Sequence, residues 1–209
     1  MAKEGIPFIG MSALATVVLA VLQLKIAALL CLAFTGFILY FFRDPERIVP
    51  TGADLITSPA DGKVIEIVRD QEPYFSGDPS IRISIFMNVF NCHVNRAPIH
   101  GRIIDIRYRE GRFLSANMKR AMLENEQAAI LLEDPKGRKV TVVQVAGLIA
   151  RRIVCWAESG DELQMGQRYG MIRFGSRLDV YLPEDTKVIV ERGQYVVAGQ
   201  SILGKMESA

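Results

Sequence analysis

Two apolar runs, residues 6–22 and 26–42, open the chain, and Lys25 is the only charge in that stretch. Each run is about 17 residues long, at the short limit for crossing a hydrocarbon core of about 30 Å. A cleaved signal peptide needs a basic start, a single apolar core and a small-residue cleavage site. This stretch is longer and ends in Tyr40-Phe41-Phe42, followed by Arg43-Asp44-Pro45-Glu46-Arg47. Aromatic rings against arginine suit an interfacial anchor. The pattern predicts an uncleaved helical hairpin over residues 1–42, inserted in or across a membrane.

Beyond Pro50-Thr51-Gly52 the pattern changes to short β-like runs punctuated by glycine and proline. Strands are expected at 63–68, 81–89, 101–108, 129–132, 139–145, 149–154, 178–182, 187–190 and 201–203. Alternation is plain in Ile81-Arg82-Ile83-Ser84-Ile85 and in Ile104-Asp105-Ile106-Arg107-Tyr108, as in half-buried strands. Only residues 115–127 have helical character. The fold class is therefore mainly β, with an antiparallel domain over residues 43–209. Residues 58–67 and 187–204 resemble each other, and the second has the rhythm of the barrel-sandwich folds of lipoyl and biotinyl domains. A carrier of that kind needs a modifiable lysine at a hairpin tip, whereas Lys205 is placed past the last expected strand.

Net charge is only +2 over 209 residues, so nothing points to a nucleic-acid partner. Basic residues cluster at Arg102, Arg107, Arg109, Arg112, Lys119, Arg120, Arg151 and Arg152. Such a set either faces anionic lipid headgroups or is a solvated face spread over several elements. Cys31, Cys92 and Cys155 have no metal-ligand spacing and no paired framework. Reduced thiols and a cytoplasmic domain are expected.

One dipeptide carries unusual chemistry. A serine directly after glycine can attack the unshielded glycine carbonyl, and β-elimination of the resulting ester breaks the chain and leaves a pyruvoyl N-terminus. Most Gly-Ser pairs are turns, so the surroundings of Gly175-Ser176 decide. Four other stretches accompany Phe174-Gly175-Ser176. They are Phe41-Phe42-Arg43-Asp44-Pro45-Glu46-Arg47, Ser58-Pro59-Ala60-Asp61-Gly62, the run from Phe86 to Gly101 that holds both histidines, and Asn125-Glu126-Gln127. In this order, over nearly the whole chain, they resemble the phosphatidylserine decarboxylase proenzymes of the short bacterial or archaeal type.

The resemblance implies self-cleavage between Gly175 and Ser176, into a β chain (1–175) and an α chain (176–209) that stay together, with a higher oligomer left open. It implies a pyruvoyl group made from Ser176, with no metal and no pyridoxal phosphate. Phosphatidylserine in the bilayer would be the substrate, and phosphatidylethanolamine and carbon dioxide the products. Ser176, His93 and Asp61 would be catalytic, with Asp61 orienting a histidine base; Arg96 and His100 would be candidates for substrate binding. Long relatives carry a second histidine three residues after the first, where this chain has Arg96, which cannot take a proton at neutral pH. They also carry a serine-threonine pair where this chain has Ser176-Arg177. The cleavage base thus has three readings: His93 does both jobs, His100 substitutes, or Arg96 only clamps an anion. Two other functions compete with the decarboxylase: a pyruvoyl decarboxylase of a soluble amino acid, which leaves the hairpin unexplained, and a membrane-tethered adaptor without catalysis, which leaves Gly175-Ser176 unexplained.

Overall fold

The computed structural model describes residues 1–72, 74–113, 124–147, 153–173 and 176–207. The chain forms two compact units, Met1–Glu46 and Arg47–Ala209. In the first, a short 3-10 turn (Lys3–Gly5) leads into α1 (Ile6–Val21), which is followed by α2 (Lys25–Phe41). Pro7 sits in the first turn of α1, where its missing N–H costs nothing. A left-handed Gln23 (φ 58°) ends that helix, as the amide of Gln23 bonds the Ala20 carbonyl and the amide of Leu24 the Leu19 carbonyl. This is the paired C-terminal motif in which glycine is the usual residue.

The hairpin buries hydroxyl side chains between its helices and exposes many apolar ones, although Ile38, Phe41 and Phe42 are buried. Ser12 and Thr35 are buried between the helices, Thr16 and Thr35 hydroxyls lie 3.5 Å apart, and Cys31 Sγ donates to the Ser12 carbonyl. Val21 and Ile26 are 73% and 79% exposed, and Leu14, Leu29, Leu30 and Phe34 also face outward. Water would oppose that arrangement, whereas lipid favours small and polar contacts between helices. By length and composition, the helical stretch Lys3–Val21 can cross a bilayer, while Lys25–Phe41 is shorter.

The second unit is mainly antiparallel β, as the sequence predicts. Its strands are β1 (Leu55–Thr57), β2 (Gly62–Gln71), β3 (Pro79–Met87), β4 (Val94–Arg96), β5 (Gly101–Arg109), β6 (Gln127–Glu133), β7 (Lys139–Val145), β8 (Ile153–Cys155), β9 (Glu162–Leu163), β10 (Arg168–Ile172), β11 (Ser176–Pro183), β12 (Lys187–Val188), β13 (Tyr195–Val196) and β14 (Ile202–Lys205). The main sheet runs β13-β2-β3-β11-β7-β6-β5-β9, and two three-stranded sheets run β4-β10-β8 and β1-β14-β12. Ile83, Ile85, Leu178, Val180, Leu182 and Val142 turn inward to the core. The opposite face does not meet solvent as the alternation predicts. Arg82, Ser84, Arg177 and Asp179 are buried there, and Tyr74 and Phe75 pack against a second cluster of Ala129, Val143, Val145 and Tyr181.

Other expectations need smaller corrections. Gln127 belongs to β6, and most of the expected helix at 115–127 lies outside the described residues, as do Lys119, Arg120, Arg151 and Arg152. The start of the strand expected at 149–154 also lies outside them. Of the remaining cluster, Arg102 donates to the Gly160 carbonyl, Arg107 pairs with Asp105 and Arg112 with Glu124. Lys205 is the last residue of β14, paired with Leu55 and Lys187, so it is no hairpin tip. The two mutually similar segments pack together: Val64 bonds the Gln194 carbonyl, Gly193 the Val64 carbonyl and Gly199 the Ser58 carbonyl.

Candidate active site

Ser176 opens β11, which is flanked by β3 on one side and β7 on the other. In register it faces Met87, the last residue of β3. Leu178, Val180 and Leu182 turn to the core, and the two-residue period of a strand turns Ser176 the same way. Ser176 is fully buried, and its Oγ has no hydrogen-bond partner among the described residues. An unpaired buried hydroxyl costs about 1–3 kcal/mol. β-Elimination would carry Oγ away with Gly175 and leave a methyl group in its place, which removes the unmatched donor, so the position fits the pyruvoyl group that the sequence implies. Gly175 and Phe174 lie outside the described residues.

The chain leaving β3 turns through Asn88 to Asn91. The Asn88 amide donates to Asn91 Oδ1 and the Phe90 amide to Asn88 Oδ1, both at 2.9 Å. Asparagine side chains support such turns by standing in for backbone acceptors. The turn delivers His93, fully buried, to the start of β4. Its Nδ1 lies 3.0 Å from the Asn91 carbonyl, while its own carbonyl accepts from Ile172, a few residues ahead of Ser176. A carbonyl only accepts, so Nδ1 carries the proton and Nε2 is the basic nitrogen of the neutral ring.

Asn95 ties this strand to both neighbours of Ser176. Its Nδ2 lies 3.8 Å from Met87 Sδ, and its Oδ1 accepts from Gln144 Nε2 at 2.8 Å. Gln144 faces Leu178 across β7 and β11. Asn125 Nδ2 donates to the Ala146 carbonyl at 2.7 Å and fixes the chain where β7 ends. Asn95 and Gln144 thus form a buried polar pair between β4 and β7, and Ser176 is buried on the strand that β7 flanks. Sequence reasoning missed Asn95 and Gln144. The readable signal was Gln144 itself, an amide inside the run Val140-Thr141-Val142-Val143-Gln144-Val145.

Asp61 occupies the tight turn before β2. Gly62 follows it because a Cβ there would stand 2.3 Å from the Phe86 carbonyl oxygen. Asp61 Oδ1 accepts from the Ala198 amide and Oδ2 from Arg47 Nη2, each at 2.8 Å. The structure pairs Asp61 with Arg47, a partner the sequence did not suggest. Arg96 is buried and its Nη1 donates to the Gly166 carbonyl at 2.9 Å. His100 is exposed and borders a cavity of about 270 Å³ with Asp54, Lys136 and Arg138, lined by neither Ser176 nor His93. The charges there answer one another: hydrogen bonds from Lys136 and Arg138 hold the Asp54 carboxyl down at about 2.

A fully buried strand-head serine, with no hydrogen-bond partner for its Oγ among the described residues, and a buried His93 bonded to the end of β10 make up a candidate serine-centred site in a β domain. Comparison with known proteins gives the chain a family. The phosphatidylserine decarboxylase family matches residues 34–204. A phosphatidylserine decarboxylase proenzyme of Desulfotalea psychrophila is 50% identical over 206 residues, covering 99% of this chain and 96% of the relative. One from Geobacter metallireducens is 53% identical over 209 residues, covering 98% and 95%. One from Geotalea uraniireducens is 50% identical over 204 residues, covering 98% and 95%. The chain belongs to the phosphatidylserine decarboxylase family.

Proposed function

We propose that this chain is the proenzyme of a phosphatidylserine decarboxylase that cuts itself between Gly175 and Ser176. The observation that carries the reading is the fully buried, unpartnered Ser176 Oγ at the head of a central strand, in a chain half identical to proenzymes of that name. Ser176 Oγ attacks the Gly175 carbonyl, the peptide C–N bond breaks, and an ester links the two halves. Loss of the Ser176 α-proton then expels Gly175 as a free carboxylate. Water replaces the nitrogen of residue 176, which leaves as ammonia, and the α chain begins with a pyruvoyl group. When present, that group supplies a carbonyl that captures the substrate amine and accepts the electron pair freed as carbon dioxide departs.

The other residues serve this centre. His93 Nε2 takes and returns protons at the reacting atoms. Asn95 and Gln144 tie β4 to the two strands that flank β11, and Asp61 with Arg47 fixes the turn before β2. Arg96 is committed to the Gly166 carbonyl, which leaves His93 as the base for both cleavage and decarboxylation. The test is the intact mass of purified protein together with its products on vesicles containing phosphatidylserine. Two chains, phosphatidylethanolamine and carbon dioxide are expected; a single chain, or two chains that act only on a soluble amino acid, sinks the reading.

The hairpin is the anchor of residues 1–42, with the domain on the cytoplasmic side. A diacyl substrate does not leave the bilayer for a distant site, so an anchored enzyme meets it at high local concentration. Deleting residues 1–42 should leave a protein that still cuts itself, since no site residue lies in the hairpin. Turnover of bilayer phosphatidylserine should fall by about 10-fold or more, while a short-chain, water-dispersed analogue is turned over at nearly the full rate. Equal loss on both substrates would make the hairpin part of the catalytic fold.

A further inference from the structure

The face of β11 turned away from Ser176 carries a charge network that no step above uses. Arg177 is buried; its Nε donates to Asp179 Oδ1 and its Nη2 to Ser84 Oγ, both at 2.7 Å, and Nη2 stands 3.6 Å from Glu66 Oε2. Arg82 Nη1 donates to the same Ser84 Oγ at 2.9 Å and the same Glu66 oxygen at 2.8 Å. Register explains the convergence, because Glu66, Ser84 and Asp179 form one row across β2, β3 and β11. Two arginines and two carboxylates cancel in charge. Tyr74, whose hydroxyl burial pushes up to about 12, lies close enough to feel both Asp179 and Arg177.

Such a network is a poor way to gain stability. Apolar residues of similar volume commonly do as well or better in its place. Its position in the chain supplies another reason for it. Arg177 is the second residue of the α chain that cleavage creates. Before the cut, β11 is held from both ends; afterwards Ser176 is a chain terminus, and termini fray unless something ties them down. Arg82 sits on β3, which stays continuous, whereas Arg177 sits on the strand that is severed.

We propose that Arg177 is a positioning residue: by gripping β3 through Ser84 and β2 through Glu66, it holds the new N-terminus of the α chain in place once the Gly175–Ser176 bond is broken. This inference rests on the cleavage reading above. It also gives a purpose to the arginine that stands here where long relatives carry threonine.

The test swaps Arg177→Met together with Asp179→Leu, so that neither charge is left buried alone. The swap is made once with Ser176 present (cut) and once with Ser176→Ala (uncut). Amide hydrogen exchange over residues 177–180 is the main readout, because it reports local opening directly. In the cut form exchange should quicken by about 10-fold or more, and in the uncut form by no more than about 2-fold. In the cut form kcat should fall with KM unchanged. Arg82→Met should alter the two forms equally. Ser84→Ala removes the cross-strand acceptor without touching a charge, so it should show the same asymmetry at smaller size even if the double swap fails to fold. Equal quickening in both forms, or none in either, overturns the proposal. So does a swapped protein that folds but stays uncut, because Arg177 would then act before the bond breaks. Unsubstituted protein that remains one chain by mass removes the cleavage reading itself; cut protein that tolerates the swap removes only the clamp.

Discussion

Ser176→Ala should remain a single chain of 23.3 kDa and release no carbon dioxide from phosphatidylserine above background. The unsubstituted protein should show a fragment of roughly 3–4 kDa on denaturing electrophoresis, at about 110 Da per residue for residues 176–209. The expected loss is complete because Ser176 is used twice. Its hydroxyl is the nucleophile that breaks the chain, and its Cα becomes the carbonyl carbon that holds the substrate. Misfolding does not confound the result, since alanine removes only a hydroxyl that has no partner among the described residues, and such groups cost stability. Intact mass decides the matter. If the alanine variant still splits at this bond, serine attack is the wrong mechanism.

His93→Ala should slow both self-cleavage and decarboxylation by about 10²–10⁴-fold, the usual worth of a positioned acid or base. The geometry that motivates this is the Nδ1 contact with the Asn91 carbonyl, which directs the basic nitrogen to the other side of the ring. His100→Ala should mature and turn over normally, because His100 borders a cavity lined by neither Ser176 nor His93. The fraction cut as a function of time, followed by mass, separates the two variants. An uncut His100→Ala would divide the roles between two histidines. Normal behaviour of both variants would remove histidine from the mechanism and leave the pyruvoyl assignment standing.

What the sequence showed of this fold and site depended on the range of the interactions involved. Alternation in β3 and β5 and the run of β7 were legible because a strand's period is local. The strand β10 escaped notice because Gly170 reads as a turn. It is a glycine for packing instead: a Cβ there would stand 2.5 Å from the Val154 carbonyl oxygen and 3.1 Å from Gln144 Nε2. Arg82 reads as solvent-facing, since nothing local announces that Tyr74 and Phe75 will cover its side of the sheet. At the site, Ser176 and His93 were legible from residue type and order. The partners were not: Asn95 meets Gln144 across 49 positions, and Asp61 is paired with Arg47. Whether an aspartate turns toward a histidine or an arginine is settled by tertiary packing, which the turn sequence Asp61-Gly62 does not encode.

The hairpin has a consequence for membrane asymmetry. Its two ends meet, with the Ala2 amide donating to the Phe42 carbonyl at 2.9 Å, so both ends of the hairpin lie on one side of it. Anchored as proposed above, the enzyme would serve one leaflet only. It would draw phosphatidylserine from that leaflet and return phosphatidylethanolamine to the same one, exchanging a net-anionic headgroup for a zwitterionic one. Each turnover therefore lowers the negative surface potential on that side, and with it the attraction that polybasic proteins feel there. Product reaches the opposite leaflet only if something else carries it across.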